Sequence, residues 1–226
     1  MKKILAKNFN KNGYLLARNF LAKNKKFINY SNEINSLIQK KLKKVNIKNY
    51  GGSLIGNINV YPGNYGKKIF KLLEIGGLNK IIKNCTGMNL KNFDIFYGGN
   101  LNLPKKHKQH FHTDGNYNDK MIIVTIATSD VKAVSGPTEI VLKSHKKKYS
   151  YLNFLLSKKK IKKLLLSKGD LLIRKHNLWH RGTINYSNKP RFQIAFMLFD
   201  KRRMFKKKVL RNELYFFNNF FSNNLI

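Results

Sequence analysis

The sequence predicts a mainly β fold, a sandwich or barrel with helices packed on its outside. Three observations carry that expectation. From about residue 90 onward, apolar and polar residues alternate with a period of two in a series of short runs. Helical spacing is concentrated before residue 90 and in one later insert. The chain of 226 residues is 42% hydrophobic, with 16 Phe and 11 Tyr, which is enough for one medium-sized core.

The elements follow in order. Gly13-Tyr14-Leu15-Leu16 reads as a short strand after a turn residue. Ile34, Leu37, Ile38 and Leu42 recur at helical spacing between Asn32 and Lys43, with Ser31 placed to cap that helix. Gly51-Gly52 breaks the pattern, and Ser53 to Tyr61 then alternates through Leu54, Ile58 and Val60. Lys67 to Ile82 is again helical. Strands are expected at Phe93–Tyr97, Met121–Thr128, Thr138–Leu142, Asp170–Arg174, Arg181–Asn185 and Arg191–Phe199, with a helical insert from Tyr149 to Leu166. The closing segment, Lys201 to Ile226, is basic and then aromatic (Tyr215, Phe216, Phe217, Phe220, Phe221); it reads as a helix docked on the barrel or as an oligomer contact. No repeat or internal boundary is visible. A single domain over 1–226 is expected, with a helical part at about 1–90, a β core at about 91–200 and a basic, aromatic extension at 201–226.

Charge is the unusual feature. Lys plus Arg number 46 against 10 Asp plus Glu, a formal +36. One reading is a polyanion partner. The other is compositional: seven are Arg and 39 are Lys, alongside abundant Asn, Ile, Phe and Tyr, as an AT-rich genome encodes. Specific readers of nucleic acid lean on Arg, so specific nucleic-acid binding is not expected, although nonspecific binding at low salt is. Short lysine runs occur at Lys146–Lys148, Lys158–Lys160 and Lys206–Lys208. A single cysteine, Cys85, rules out a disulfide within the chain and fits a reducing, cytoplasmic location. The start Met1-Lys2-Lys3-Ile4-Leu5-Ala6-Lys7-Asn8 lacks the apolar stretch of a secretory signal, and no run of ~18 apolar residues marks a membrane span.

The chemistry concentrates in Gln109-His110-Phe111-His112-Thr113-Asp114-Gly115. On an extended chain His112 and Asp114 point to one face. An imidazole and a carboxylate are two of the three ligands of the facial triad that suits non-haem iron(II). The third must be a distant His. His180 is the best candidate, at the end of Gly169 to His180, a strand and turn that lead into a second strand. A polar loop with chance histidines is the bland alternative, since His107, His110, His145 and His176 are also present. His176 and His180, four apart, are a further alternative as ligands on one helix, but the flanks are strand-like and no Glu follows His176.

Two imidazoles and one carboxylate leave three positions open, enough for a bidentate 2-oxo acid and O2. Such a cosubstrate needs a cation at its far carboxylate, and Arg191 stands eleven residues after His180. A hairpin turning about Ser187 and Asn188 would set Arg191 opposite Ile184 or Asn185, about 13 Å from His180 along the strand. Arg191, Gln193 and Ala195 share one face of the final strand, which suggests a lined cavity; a surface arginine opening a strand is the alternative.

The chain resembles the phytanoyl-CoA dioxygenase family of Fe(II)- and 2-oxoglutarate-dependent oxygenases. The resemblance runs through Asn12 to Leu21, Gln109-x-x-His112-x-Asp114, Ser129-Asp130-Val131 with Ser135-Gly136-Pro137-Thr138-Glu139 and Ser144-His145, and Lys168-Gly169-Asp170 with Trp179 to Thr183 and Lys189-Pro190-Arg191. It implies a double-stranded β-helix, the cupin-like jelly roll. It implies that His112, Asp114 and His180 bind iron, that Arg191 binds 2-oxoglutarate with a hydroxyl near Thr183, and that Gln109 supports the iron or the cosubstrate. The implied activity is hydroxylation of a small organic molecule using O2, with 2-oxoglutarate decarboxylated to succinate. Halogenating relatives lack the carboxylate, so Asp114 favours hydroxylation. Leu142-Lys143 replaces the usual Pro-Gly before Ser144-His145, and nothing corresponds to a coenzyme A pocket. The rival functions are the same chemistry on a nucleic acid or protein, and a non-catalytic cupin-like polyanion binder.

Overall fold

A computed structural model describes residues 2–50, 56–115, 117, 119, 121–202 and 213–217. The order is α1 (Lys2–Asn12), β1 (Tyr14–Ala17), α2 (Lys25–Lys44), β2 (Asn57–Tyr61), α3 (Asn64–Ile75), α4 (Leu78–Thr86), β3 (Phe93–Asn102), β4 (Met121–Ala127), β5 (Thr138–Val141), α5 (Tyr151–Leu156), β6 (Ile161–Leu164), β7 (Leu171–Lys175), β8 (His180–Gly182), β9 (Arg191–Asp200) and β10 (Tyr215–Phe217). Two antiparallel sheets result: a large one in the order β1-β7-β4-β9-β3-β2-β10 and a small one in the order β6-β5-β8. This is the jelly roll, mainly β with flanking helices.

The helices cover the outer face of the large sheet. Phe27, Ile34 and Ile38 of α2, Ile69, Phe70 and Leu73 of α3, and Leu78 and Ile82 of α4 are buried with Ile58, Leu101, Val124, Phe192, Ile194 and Phe196 of the strands. Their spacing of three and four residues gives each helix one apolar stripe. Burying a large aliphatic or aromatic side chain is worth about 1.5–3 kcal/mol, so this layer holds the sheet in place. The opposite face of the same strands is left to line the interior between the two sheets. None of the helices in the described residues is long and apolar enough to cross a membrane.

All six expected strands form, within a residue or two at most ends and with β3 extended to Asn102. Several local expectations change. Helix α2 begins at Lys25, because Asn24 caps it by accepting from the Phe27 N–H at 3.0 Å; Ser31 is buried inside the helix. The helix expected over Lys67–Ile82 is two, broken at Gly76-Gly77, where Gly77 has φ 96°. The insert Tyr149–Leu166 is helical only at α5; Ile161–Leu164 becomes β6 by pairing with β5, a nonlocal contact that local spacing does not encode. In the closing segment Tyr215–Phe217 is a strand paired with β2 rather than part of a docked helix. Gly51-Gly52, Ser53, Leu54, Lys206–Lys208, Phe220 and Phe221 lie outside the described residues.

β8 and β9 do not form the expected hairpin. β8 joins the small sheet through β5, while β9 runs between β3 and β4 of the large one. Asn185, fully buried, shapes the crossover: its Nδ2 donates to Asn102 O at 3.2 Å and Lys189 O at 2.8 Å, and its Oδ1 accepts from Ser187 N and Oγ. The turn residues that suggested a hairpin thus carry the chain from one sheet to the other.

The turn before Ser144-His145 survives without Pro-Gly, with Lys143 in the left-handed region at φ 63°. That conformation costs an L-residue roughly 1–2 kcal/mol, against roughly 0.5–1 kcal/mol of extra unfolded-state freedom for Gly. Lys143 is exposed, so little contact is lost on substitution. Lys143→Gly is expected to stabilise the protein by about 0.5–1 kcal/mol and raise Tm by about 2 °C. A calorimetric scan checks this.

Candidate active site

The backbone brings the histidine pair together before any side chain is considered. His112 N donates to His180 O and His180 N to His112 O, both at 3.0 Å, a two-bond antiparallel bridge between the loop after β3 and the start of β8. Asp114 N donates to His176 O at 3.0 Å, which fixes the next turn of that loop. The imidazole centroids of His112 and His180 lie 4.4 Å apart, and Asp114 Oδ2 lies 3.6 Å from His180 Nε2. One ligating atom from each of His112, Asp114 and His180 falls within 4.8 Å of the others.

The ring nitrogens are also set for a cation. His112 Nδ1 lies 2.9 Å from His110 O, and His180 Nδ1 lies 3.0 Å from Leu178 O. A carbonyl only accepts, so each Nδ1 carries a proton and Nε2 is left as the ligating atom of each ring. Burial pushes the His180 imidazole well below its ordinary range, and Arg174 pushes it further; the ring is neutral at pH 7. Burial alone would raise the Asp114 carboxyl, yet Arg174, His180 and His112 together hold it well below the usual carboxylate range. The donor set is therefore two imidazole Nε2 atoms and one ionised carboxylate, and it fits a divalent first-row metal.

These groups open into a cavity of about 140 Å³ between the sheets. The inner faces of β9 (Arg191, Gln193, Ala195, Met197), β4 (Ile123, Thr125) and β7 (Leu172, Arg174) line it, and β3 and β2 add Asn100 and Asn59. Arg191 is 3% exposed. Its Nη1 donates to Gln193 Oε1 at 2.5 Å, while its buried Nε has no hydrogen-bond partner among the described residues. Burial pulls the guanidinium down to about 10, so it stays charged at neutral pH. A buried, charged donor left open toward a cavity is costly unless an anion completes it, and a carboxylate is the natural complement.

The other expected site residues fall as follows. Gln109 lines the cavity, and its Oε1 accepts the Gly182 N–H at 2.7 Å. Thr183 does not line it; the Thr183 hydroxyl is committed to Pro137 O at 2.6 Å, and the cavity's hydroxyls come from Thr125 and Thr138. The alternative helical pair is excluded, because His176 and His180 are separated by a turn between two strands. Trp179 packs in the core, stacked on Phe154 at 3.8 Å. Ser144 is a turn element whose hydroxyl donates to Val141 O and accepts from Trp179 N. Sequence reasoning missed Arg174, which ion-pairs with Asp114 inside the cavity. The available signal was its period-two relation to Leu172, directly after the apolar run Leu171–Ile173.

Residues 89–192, a span that contains His112, Asp114, His180 and Arg191, match the phytanoyl-CoA dioxygenase (PhyH) family model. The chain is a 2-oxoglutarate-dependent oxygenase, and over that span it resembles the phytanoyl-CoA dioxygenase family. No curated protein shows significant sequence similarity to it. Among solved structures, the chain is similar to the non-heme alpha ketoglutarate dependent carbocyclase SnoK from nogalamycin biosynthesis (TM-score 0.70, 13% identity, covering 88% of this chain and 84% of that one). It is similar to the epimerase SnoN in complex with Fe3+, alpha ketoglutarate and nogalamycin RO (TM-score 0.70, 14% identity, 88% and 83%). It is also similar to AviO1 from Streptomyces viridochromogenes Tue57 (TM-score 0.68, 14% identity, 88% and 95%). At these identities the likeness establishes the shared fold. The cofactors of the PhyH-like oxygenases are Fe(II) and 2-oxoglutarate, with O2 as oxidant.

Proposed function

We propose that this PhyH-like protein hydroxylates a small organic molecule, with His112, Asp114 and His180 holding iron and Arg191 holding the far carboxylate of 2-oxoglutarate. The observation that carries the reading is the pairing, in one cavity, of three convergent ligand atoms with a buried guanidinium whose Nε is unsatisfied. Iron bound there supplies oxygen activation coupled to decarboxylation of 2-oxoglutarate to succinate.

The protein's own part is positioning. The His112–His180 bridge and the two Nδ1–carbonyl bonds fix both rings before metal arrives, so little rotamer freedom is lost on loading. Gln193 orients Arg191 toward the cavity, and Gln109 ties β8 to the ligand loop. Thr183, bonded to Pro137, steadies the β5–β8 pair rather than the cosubstrate itself. Apolar Ile123, Leu172, Ala195 and Met197 keep the interior dry.

A small substrate is favoured over a nucleic acid by the lining. Among the described residues no lysine lines this cavity, although 39 are in the chain.

Purified protein given Fe(II), 2-oxoglutarate and air is expected to form succinate at a slow uncoupled rate, and a chelator is expected to stop it. A screen of small molecules should raise that rate with one class. Iron-independent decarboxylation, or none with any substrate, would contradict the reading.

A further inference from the structure

Arg174 is a second buried cation in the cavity, and the cosubstrate does not account for it. On β9, Met197 stands six positions beyond Arg191, about 20 Å along the strand at ~3.3 Å per residue. Ile123 of β4 lies opposite Met197, and Arg174 of β7 lies opposite Ile123. Arg191 and Arg174 therefore occupy opposite ends of the inner face, with Asp114 beside Arg174. A cosubstrate anchored by Arg191 cannot also have its far carboxylate at Arg174.

The charges make the same point. Among the described residues, the only charged ones lining the cavity are Asp114, Arg174 and Arg191. Asp114 balances Arg174 across an ion pair whose side chains are 22% and 10% exposed. Once a dication takes the Asp114 carboxylate and dianionic 2-oxoglutarate enters, the dication, the dianion, the carboxylate and the two guanidiniums leave one positive charge unbalanced. A buried unbalanced charge is expensive, and a monoanion removes that cost. The neighbours of Arg174 in its row, Ile123 and Met197, are buried and apolar, with Phe96 packed against them.

Resting on the function proposed above, we infer that Arg174 is a specificity-determining residue that selects a substrate carrying a carboxylate on an apolar body. The carboxylate takes the guanidinium fork, and the apolar body lies against Ile123, Met197 and Phe96. Phosphate and sulfonate groups share the charge, so they form separate arms of the test.

The test uses protein loaded with Zn(II) and N-oxalylglycine, a non-reacting stand-in for the cosubstrate. Loading is measured first by calorimetry. The loaded protein is then titrated with matched pairs: pentanoate against pentanamide, 3-phenylpropionate against 3-phenylpropionamide, and inorganic phosphate and methanesulfonate as separate anions. The acids are expected to bind on the order of 10- to 100-fold more tightly than their amides. Arg174→Gln is expected to erase that preference while Zn(II) and N-oxalylglycine still load, and Arg174→Lys is expected to keep part of it. Equal binding of acid and amide to the unaltered protein overturns the inference, as does tightest binding by phosphate or methanesulfonate, absence of binding by every acid, or an acid preference that survives in Arg174→Gln. Failure of Zn(II) or N-oxalylglycine to load strikes instead at the function on which the inference rests, and the inference falls with it.

Discussion

Asp114→Ala is expected to abolish iron-dependent succinate formation and to weaken metal binding by at least ~10³-fold, since the anionic ligand contributes several kcal/mol to such a site. The variant has a second consequence. Asp114 also balances the Arg174 guanidinium, which is 10% exposed at its side chain. Removing one partner of a buried pair costs roughly 3–5 kcal/mol, because the other charge is left uncompensated. The metal-free variant should therefore melt well below the unaltered protein in a calorimetric scan. Adding Arg174→Met to Asp114→Ala removes the stranded charge and is expected to restore most of the lost stability while leaving metal binding and activity absent. A single variant that kept both its Tm and its activity would show that Asp114 serves neither purpose.

Arg191→Met is expected to raise the KM for 2-oxoglutarate steeply while leaving the metal site able to load. Losing one member of a buried, charge-assisted pair costs roughly 2–5 kcal/mol, which corresponds to roughly 30- to 4,000-fold in affinity. Met is close to Arg in length and packs the apolar stem, so the effect reports the guanidinium rather than a void. Calorimetric titration of N-oxalylglycine into the Zn(II)-loaded variant measures it directly. Unchanged affinity would place the cosubstrate anchor elsewhere.

How much of this could be read from the chain varies by residue. The His112–Asp114 spacing was legible because an extended backbone dictates which side chains share a face. The place of His180 was legible because it closes a strand–turn–strand run, and the two-bond bridge to His112 makes that strand start an anchor. Arg191 was legible as the polar opening of an apolar strand, but its partner strand was not. Ser187, Asn188 and Pro190 signal a turn whether the chain folds back on itself or crosses to the other sheet, and the buried side chain of Asn185 makes it cross. Arg174 stayed hidden because an arginine near the end of an apolar strand reads as solvent-facing. Only the tertiary return of the Asp114 loop over β7 turns it into an interior cation. For the same reason β6 read as helix: its lysine-rich sequence pairs through β5, far away in the chain.

A crystal grown with Fe(II) and 2-oxoglutarate under nitrogen and measured at the iron edge examines the site most directly. One anomalous peak is expected at ~2.0–2.2 Å from His112 Nε2, from an Asp114 carboxylate oxygen and from His180 Nε2, with the distal carboxylate of 2-oxoglutarate within hydrogen-bond reach of Arg191. A peak away from these three side chains, or a cosubstrate that does not touch Arg191, would contradict the account.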